Sequence, residues 1–150
     1  ILIEVQSLVG STSFGMPRRT AIGVDHNRVS LLTAVMDKIC GIHLGASDIF
    51  LNVAGGVKVD ETAIDLGIVS SMASSFLNRP VAKGTVVFGE VGLTGEIRGI
   101  SQTEVRIKEA SRMGFARCIL PRTRNREGMQ RPNIELIPIR SLKELTENLF

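Results

Sequence analysis

The chain has 150 residues, of which 43% are hydrophobic and 22% charged, with a formal net charge of +3. That is the make-up of one globular domain, spanning 1–150, with enough chain for a sizeable core. No apolar run approaches the length of a membrane span and no signal peptide is visible, so a membrane partner and a secretory route are not expected.

The first residues, Ile1 to Val9, alternate like a strand. A chain that opens inside a strand without an initiator methionine suggests an excised domain whose N-terminal neighbour is missing. Gly15–Arg19 reads as a turn and Thr20–Val24 as a strand. Leu31, Leu32, Val35, Met36, Ile39 and Cys40 fall at helical spacing, with Asn27 as N-cap and Gly41 as the stop. Asp48–Val53 is a strand leading into the Gly55-Gly56 turn. A long apolar helix then carries Ile64, Ile68, Met72 and Phe76 on one stripe, runs to about Leu77 and stops ahead of Pro80. Thr85–Phe88 is a strand, Gly89–Gly99 a turn-rich hairpin, and Gln102–Met113 a helix closed by Gly114. Arg117–Leu120 is a strand bounded by Pro121, Arg122–Pro132 a polar loop, and Ile134–Ile137 a last strand. Ser141-Leu-Lys-Glu144 is a capping box opening the terminal helix. The arrangement is α/β of the α+β type, without repeats or linkers.

Cys40 and Cys118 lie in apolar segments without motif spacing, so buried reduced thiols and a cytoplasmic setting are expected. His26 and His43 are too few and too isolated for a metal site. Between Arg98 and Arg131 stand nine of the 18 basic residues, opposed only by Glu104, Glu109 and Glu127. A solvated face is the commoner outcome of such a run, and a polyanion partner the sharper one. With no Trp or Tyr to stack bases, any nucleic-acid contact should be to phosphates. A second group of cations, Arg18, Arg19, Arg28 and Lys58, sits in turns and at helix starts. At a helix N-terminus a cation is unfavourable unless an acid or a bound anion accompanies it. Asp25 could accompany Arg28, and Asp60 or Glu61 could accompany Lys58.

The run Phe88-Gly-Glu-Val-Gly-Leu-Thr-Gly-Glu-Ile97 and the later Gly114–Pro121 resemble the Lon protease domain. The opening segment, with Ile3–Gln6, Pro17–Arg19, Asp25–Arg28 and Gly55–Val59, resembles the C-terminal domain of the bacterial RadA (Sms) family of DNA repair and recombination ATPases. The resemblance covers nearly the whole chain. It implies a Lon-protease-like fold related to the second domain of ribosomal protein S5, and assembly into a hexameric ring. It also implies that ATP and magnesium are bound by an N-terminal ATPase domain, since no Gly-x-x-x-x-Gly-Lys-Ser/Thr loop occurs in this sequence.

Lon-type proteolysis needs a serine activated by a lysine. At the position that the resemblance gives to the serine stands Ala63, and the lysine position reads as Glu104 within one residue. No catalytic residue is therefore assigned. Thr62 is more readily an N-cap than a substitute nucleophile, and Lys108 is placed to pair with Glu104 on the helix surface. The function expected is a non-proteolytic, ring-forming domain of a DNA motor acting in recombination and repair. Arg18, Arg19, Arg28 and Lys58 would hold DNA phosphates on one rim. The alternatives are an oligomerisation scaffold without DNA contact and an atypical peptidase.

Overall fold

A computed structural model describes residues 1–13, 15–123 and 133–150. Among these described residues, eight strands and four α-helices follow in the order β1 (Val5–Ser11), β2 (Arg19–Ile22), α1 (His26–Val35), β3 (Ser47–Val53), α2 (Asp65–Leu77), β4 (Thr85–Val87), β5 (Glu90–Val91), β6 (Ile97–Arg98), α3 (Thr103–Arg112), β7 (Arg117–Pro121), β8 (Glu135–Ile139) and α4 (Leu142–Leu149). The mixed α/β class is as the sequence indicates.

Three small sheets carry the fold. In the first, of order β1-β3-β2, β1 runs antiparallel and β2 parallel to β3, the parallel pair being joined through α1. The second, β4-β7-β8, is all parallel, and β5 and β6 form an antiparallel hairpin. Ile49, Leu51 and Val53 of β3 are buried, and Val29, Leu32 and Val35 of α1 join Ile49 and Leu51 in a core that also takes in α2 and α4. Strand β7 is buried on both faces, as parallel strands are: Ile119 belongs to this core, while Cys118 and Leu120 face a second cluster with Phe88, Ile107 and Ala110.

Several element ends differ from the sequence expectation. Asp25, not Asn27, caps α1, its carboxylate accepting the Asn27 amide at 3.1 Å. The helix passes into a π-helical turn, Met36–Cys40, before Gly41 stops it in the left-handed region. Helix α2 ends on Asn78 at φ 53, two residues before Pro80 can act. At α4, Ser141 Oγ accepts the Glu144 amide, but Glu144 reaches back to the amide of Arg140 rather than to that of Ser141. Part of the expected polar loop after Arg122 lies outside the described residues.

Candidate functional site

Strands β3 and β4 deliver the chain to one end of the molecule, where α1 and α2 begin. Gly23, just after β2, lies against the backbone beyond β3. It has φ 91, and a Cβ there would stand 2.7 Å from Val53 Cβ and from the Val57 carbonyl oxygen. The amide of Val59 donates to Gly23 O at 2.7 Å, so the Lys58 loop is tied to the end of β2. A 3₁₀ turn, Thr62–Ile64, then leads into α2, with Ala63 buried.

The turn and Gly89 hold one another. Gly89 N donates to Ala63 O at 3.0 Å and Leu66 N donates to Gly89 O at 3.2 Å. Thr62 was expected to cap the helix, but no side chain caps either the 3₁₀ turn or α2. The Gly89 carbonyl serves the Leu66 amide instead, satisfying one of the free donors of a helix start. Gly89 lies at φ 152, and an added Cβ would meet Leu66, Pro121 and Ile97 at 3.0–3.2 Å.

One ion pair joins the segments that carry the two positions the resemblance assigns to the dyad. Arg106, two residues after Glu104, pairs with Glu61, two residues before Ala63. The Arg106 guanidinium also donates to Ser101 O at 3.0 Å and lies 5.9 Å from the Phe88 ring centroid. Glu104 is exposed in the first turn of α3. Ala63 offers neither a nucleophile nor a proton, so the turn carries no acyl-transfer chemistry on that residue. Glu61 was a candidate partner for Lys58 and goes to Arg106. Among the described residues Lys58 makes no ion pair, and it is exposed.

Arg28 is not held by Asp25. It forms a two-pronged pair with Asp65, the first residue of α2, with Nε to Oδ1 at 2.9 Å and Nη2 on Oδ2. Nη2 also donates to Val91 O at 3.2 Å, and the Val91 amide returns a bond to Asp65 Oδ2 at 3.0 Å. Asp65 is fully buried. Its carboxylate raises the Arg28 pKa above the ordinary arginine value, chiefly through the side-chain hydrogen bond. The guanidinium therefore joins α1, α2 and the β5–β6 hairpin. The sequence signal for Asp65 is its place: it continues the apolar stripe of Ile68, Val69 and Met72 at helical spacing.

Arg19 is likewise engaged, donating to Ser47 O and Leu44 O at 2.9 Å each, which fixes the loop before β3. Arg18 is exposed, and its backbone is what the fold uses: its amide donates to Asp48 Oδ1 at 2.7 Å and its carbonyl accepts from the Ile49 amide at 2.8 Å. The hydrogen bond to Asp48 is the main reason the Asp48 pKa is lowered. The expected convergence of all four cations on one rim is not what the strands produce. Because β2 runs parallel to β3, Arg18 and Arg19 lie at its start and Lys58 and Arg28 beyond its end, roughly 17 Å away along five strand steps.

In the basic run from Arg98, three members are tied down: Arg98 to Glu96, Arg106 to Glu61, and Arg117 to Thr85, Glu135 and the Asn148 carbonyl. Lys108, Arg112 and Arg122 are exposed. Arg124, Arg126 and Arg131 lie outside the described residues. No metal-holding group of three His, Cys, Asp or Glu occurs among the described residues, and no described helix is long and apolar enough to cross a membrane.

Comparison with known proteins places this geometry in context. A DNA repair protein RadA from Bacillus subtilis (strain 168) is 52% identical over 145 residues, covering 96% of this chain and 31% of that protein. One from Streptococcus pyogenes serotype M6 is 44% identical over 151 residues, covering all of this chain and 33% of its own. A RadA from Synechocystis sp. (strain ATCC 27184 / PCC 6803 / Kazusa) is 41% identical, covering 93% and 27%. The chain thus spans about a third of the length of these relatives or less. The family model described as subunit ChlI of Mg-chelatase matches residues 4–124, most of the sequence. On that match, the chain belongs to the ChlI family.

Proposed function

We propose that this chain is a non-proteolytic, Lon-protease-like domain of a RadA-type DNA repair and recombination ATPase. It would work in the cytoplasm, hold its subunits in a hexameric ring and bind DNA phosphates without regard to sequence. ATP and magnesium would be bound, and branch migration driven, by a part of the parent protein outside this sequence. The observation that carries the reading is the likeness, over 93–100% of the chain, to proteins named DNA repair protein RadA. The turn at Ala63 supports its non-proteolytic part: the residue is buried, its carbonyl is bonded to Gly89, and the neighbouring Glu61 is held by Arg106.

Of the four cations expected to hold DNA, Arg18 and Lys58 are exposed and without an ion pair among the described residues. Arg19 and Arg28 would act indirectly, by holding the loops that carry them. Fluorescence anisotropy with a labelled oligonucleotide across a salt series tests this. Arg18→Ala and Lys58→Ala should each weaken binding for any sequence and flatten the log K against log[salt] slope by about 1. The melting temperature should hardly move, because exposed charges contribute little to folding. Parental slopes in both variants would remove the DNA role from this pair. The second reading, a scaffold that does not touch DNA, is favoured by the internal use of Arg19 and Arg28. It would be upheld if no basic variant changed binding.

A further inference from the structure

Two apolar surfaces lie on opposite sides of the molecule. The outer face of the β1-β3-β2 sheet presents Leu8, Phe50 and Ile22, which are 64%, 38% and 57% exposed. Leu8 and Phe50 are directly opposed across β1 and β3, Thr20 completes their row on β2, and Ile22 stands in the next row beside Asn52. A one-sided sheet ordinarily turns polar residues outward. Here the inner face is filled by α1 and α2, and the outer face still carries three large apolar side chains.

The second surface is a shallow hollow of about 180 Å³ lined by Leu31, Ala34, Val35, Lys38 and Leu93. Leu93, at the tip of the β5–β6 hairpin, is 68% exposed. At 100° per residue, Leu31, Ala34 and Lys38 fall on the side of the α1 helix and its π-helical extension turned away from Val29 and Leu32, the side that packs on the sheet. The order through the molecule is therefore outer sheet face, sheet, α1, hollow.

We propose that the hollow receives the sheet face of a second copy of this chain, with Leu8 and Phe50 seated against Leu31 and Leu93. Lys38, on the rim of the hollow, would meet Asp48, which stands two register positions from Phe50 on the same face of the sheet. A foreign partner would need only one of these surfaces. Two unlike apolar surfaces on opposite sides of one chain, with opposite charges at their rims, suit a head-to-tail contact, which closes into a ring when the rotation permits. The inference rests on the ring-forming reading above and names the surfaces that would form the ring.

Sedimentation velocity on two variants, Phe50→Glu and Leu93→Glu, tests it. The parent should associate, and each variant alone should remain monomeric with its circular dichroism and melting unchanged. An equimolar mixture should form a one-to-one dimer and nothing larger, because Phe50→Glu keeps a working hollow and Leu93→Glu keeps a working sheet face. Leu8→Glu and Lys38→Glu replace either variant that fails to fold. If the parent associates and the variants associate equally well, these surfaces are not the contact, while the ring reading stands. Monomeric variants that do not pair when mixed also overturn the proposal. A parent that is monomeric at every concentration overturns the ring reading and this proposal together.

Discussion

Removing the Arg28 side chain should unfold the protein more readily. Arg28→Ala leaves the fully buried Asp65 carboxylate with only the Val91 amide as a partner. Breaking a buried pair in this way typically costs 3–5 kcal/mol, and the 28% exposure of Arg28, which lets water reach the pair, puts the figure here at about 3. For a chain of this length that is a fall in melting temperature of about 6–12 °C. Asp65→Ala should cost less, about 2 kcal/mol, because the guanidinium can turn to water and only the Val91 amide is stranded. The Arg28→Ala/Asp65→Ala double variant should be less destabilised than the sum of the singles, and Arg28→Met/Asp65→Leu should recover most of the loss. Urea denaturation measures this as a lower midpoint at unchanged slope. A loss for Arg28→Ala within about 0.5 kcal/mol of zero would refute the reasoning, since surface substitutions have effects of that size. The guanidinium would then be free to meet an anion.

Two further outcomes concern Gly89 and the β5–β6 hairpin. Gly89→Ala places a Cβ within 3.0–3.2 Å of three packed side chains at φ 152, so it should lower stability by about 2 kcal/mol, measured by thermal melting. A variant that melts with the parent would mean that the turn yields easily. The Glu96 carboxylate is held down to about 2, first by the Thr94 hydroxyl and also by its own amide and Arg98. A lowered folded-state value favours folding above the ordinary carboxylate range, and that contribution is lost as the pH falls through about 2. Side-chain NMR titration should find Glu96 ionising near 2 in the parent and higher in Thr94→Ala. An unchanged midpoint would remove the hydroxyl as the main cause.

Much of the fold was legible because it rests on local patterns. The alternation from Ile1 to Val9, of which the part from Val5 is strand, the helical spacing of Leu32, Val35 and Met36, and Ser141 at the head of α4 each carry their own signal. The site was legible only in its omissions. That Ala63 offers no nucleophile is visible from one residue, whereas the engagement of Arg28 by Asp65 joins residues 37 apart and depends on how α1 and α2 meet. Asp25 was the nearer acid, but its carboxylate is spent on the Asn27 amide. The same holds for Glu61, which lies near Lys58 in sequence and pairs with Arg106, 45 residues on. Of the four cations expected to meet DNA phosphates, two, Arg19 and Arg28, are anchors for loops.

The pairing of Glu61 with Arg106 ties the turn at Ala63 to α3. The Glu61 carboxylate reaches α3, and the guanidinium it meets lies over Phe88 of the second apolar cluster. A proteolytic site needs room beside its nucleophile for a substrate carbonyl and donors to receive its oxyanion. The Ala63 turn instead spends its carbonyl on the Gly89 amide, and the Gly89 carbonyl is spent on Leu66. Groups that could otherwise face a substrate bind one another, and the turn becomes a joint between α2, α3 and the strand ends. A joint of that kind favours fixed geometry over turnover. Fixed geometry is what a subunit needs if its outer surfaces are to meet neighbours in a constant orientation.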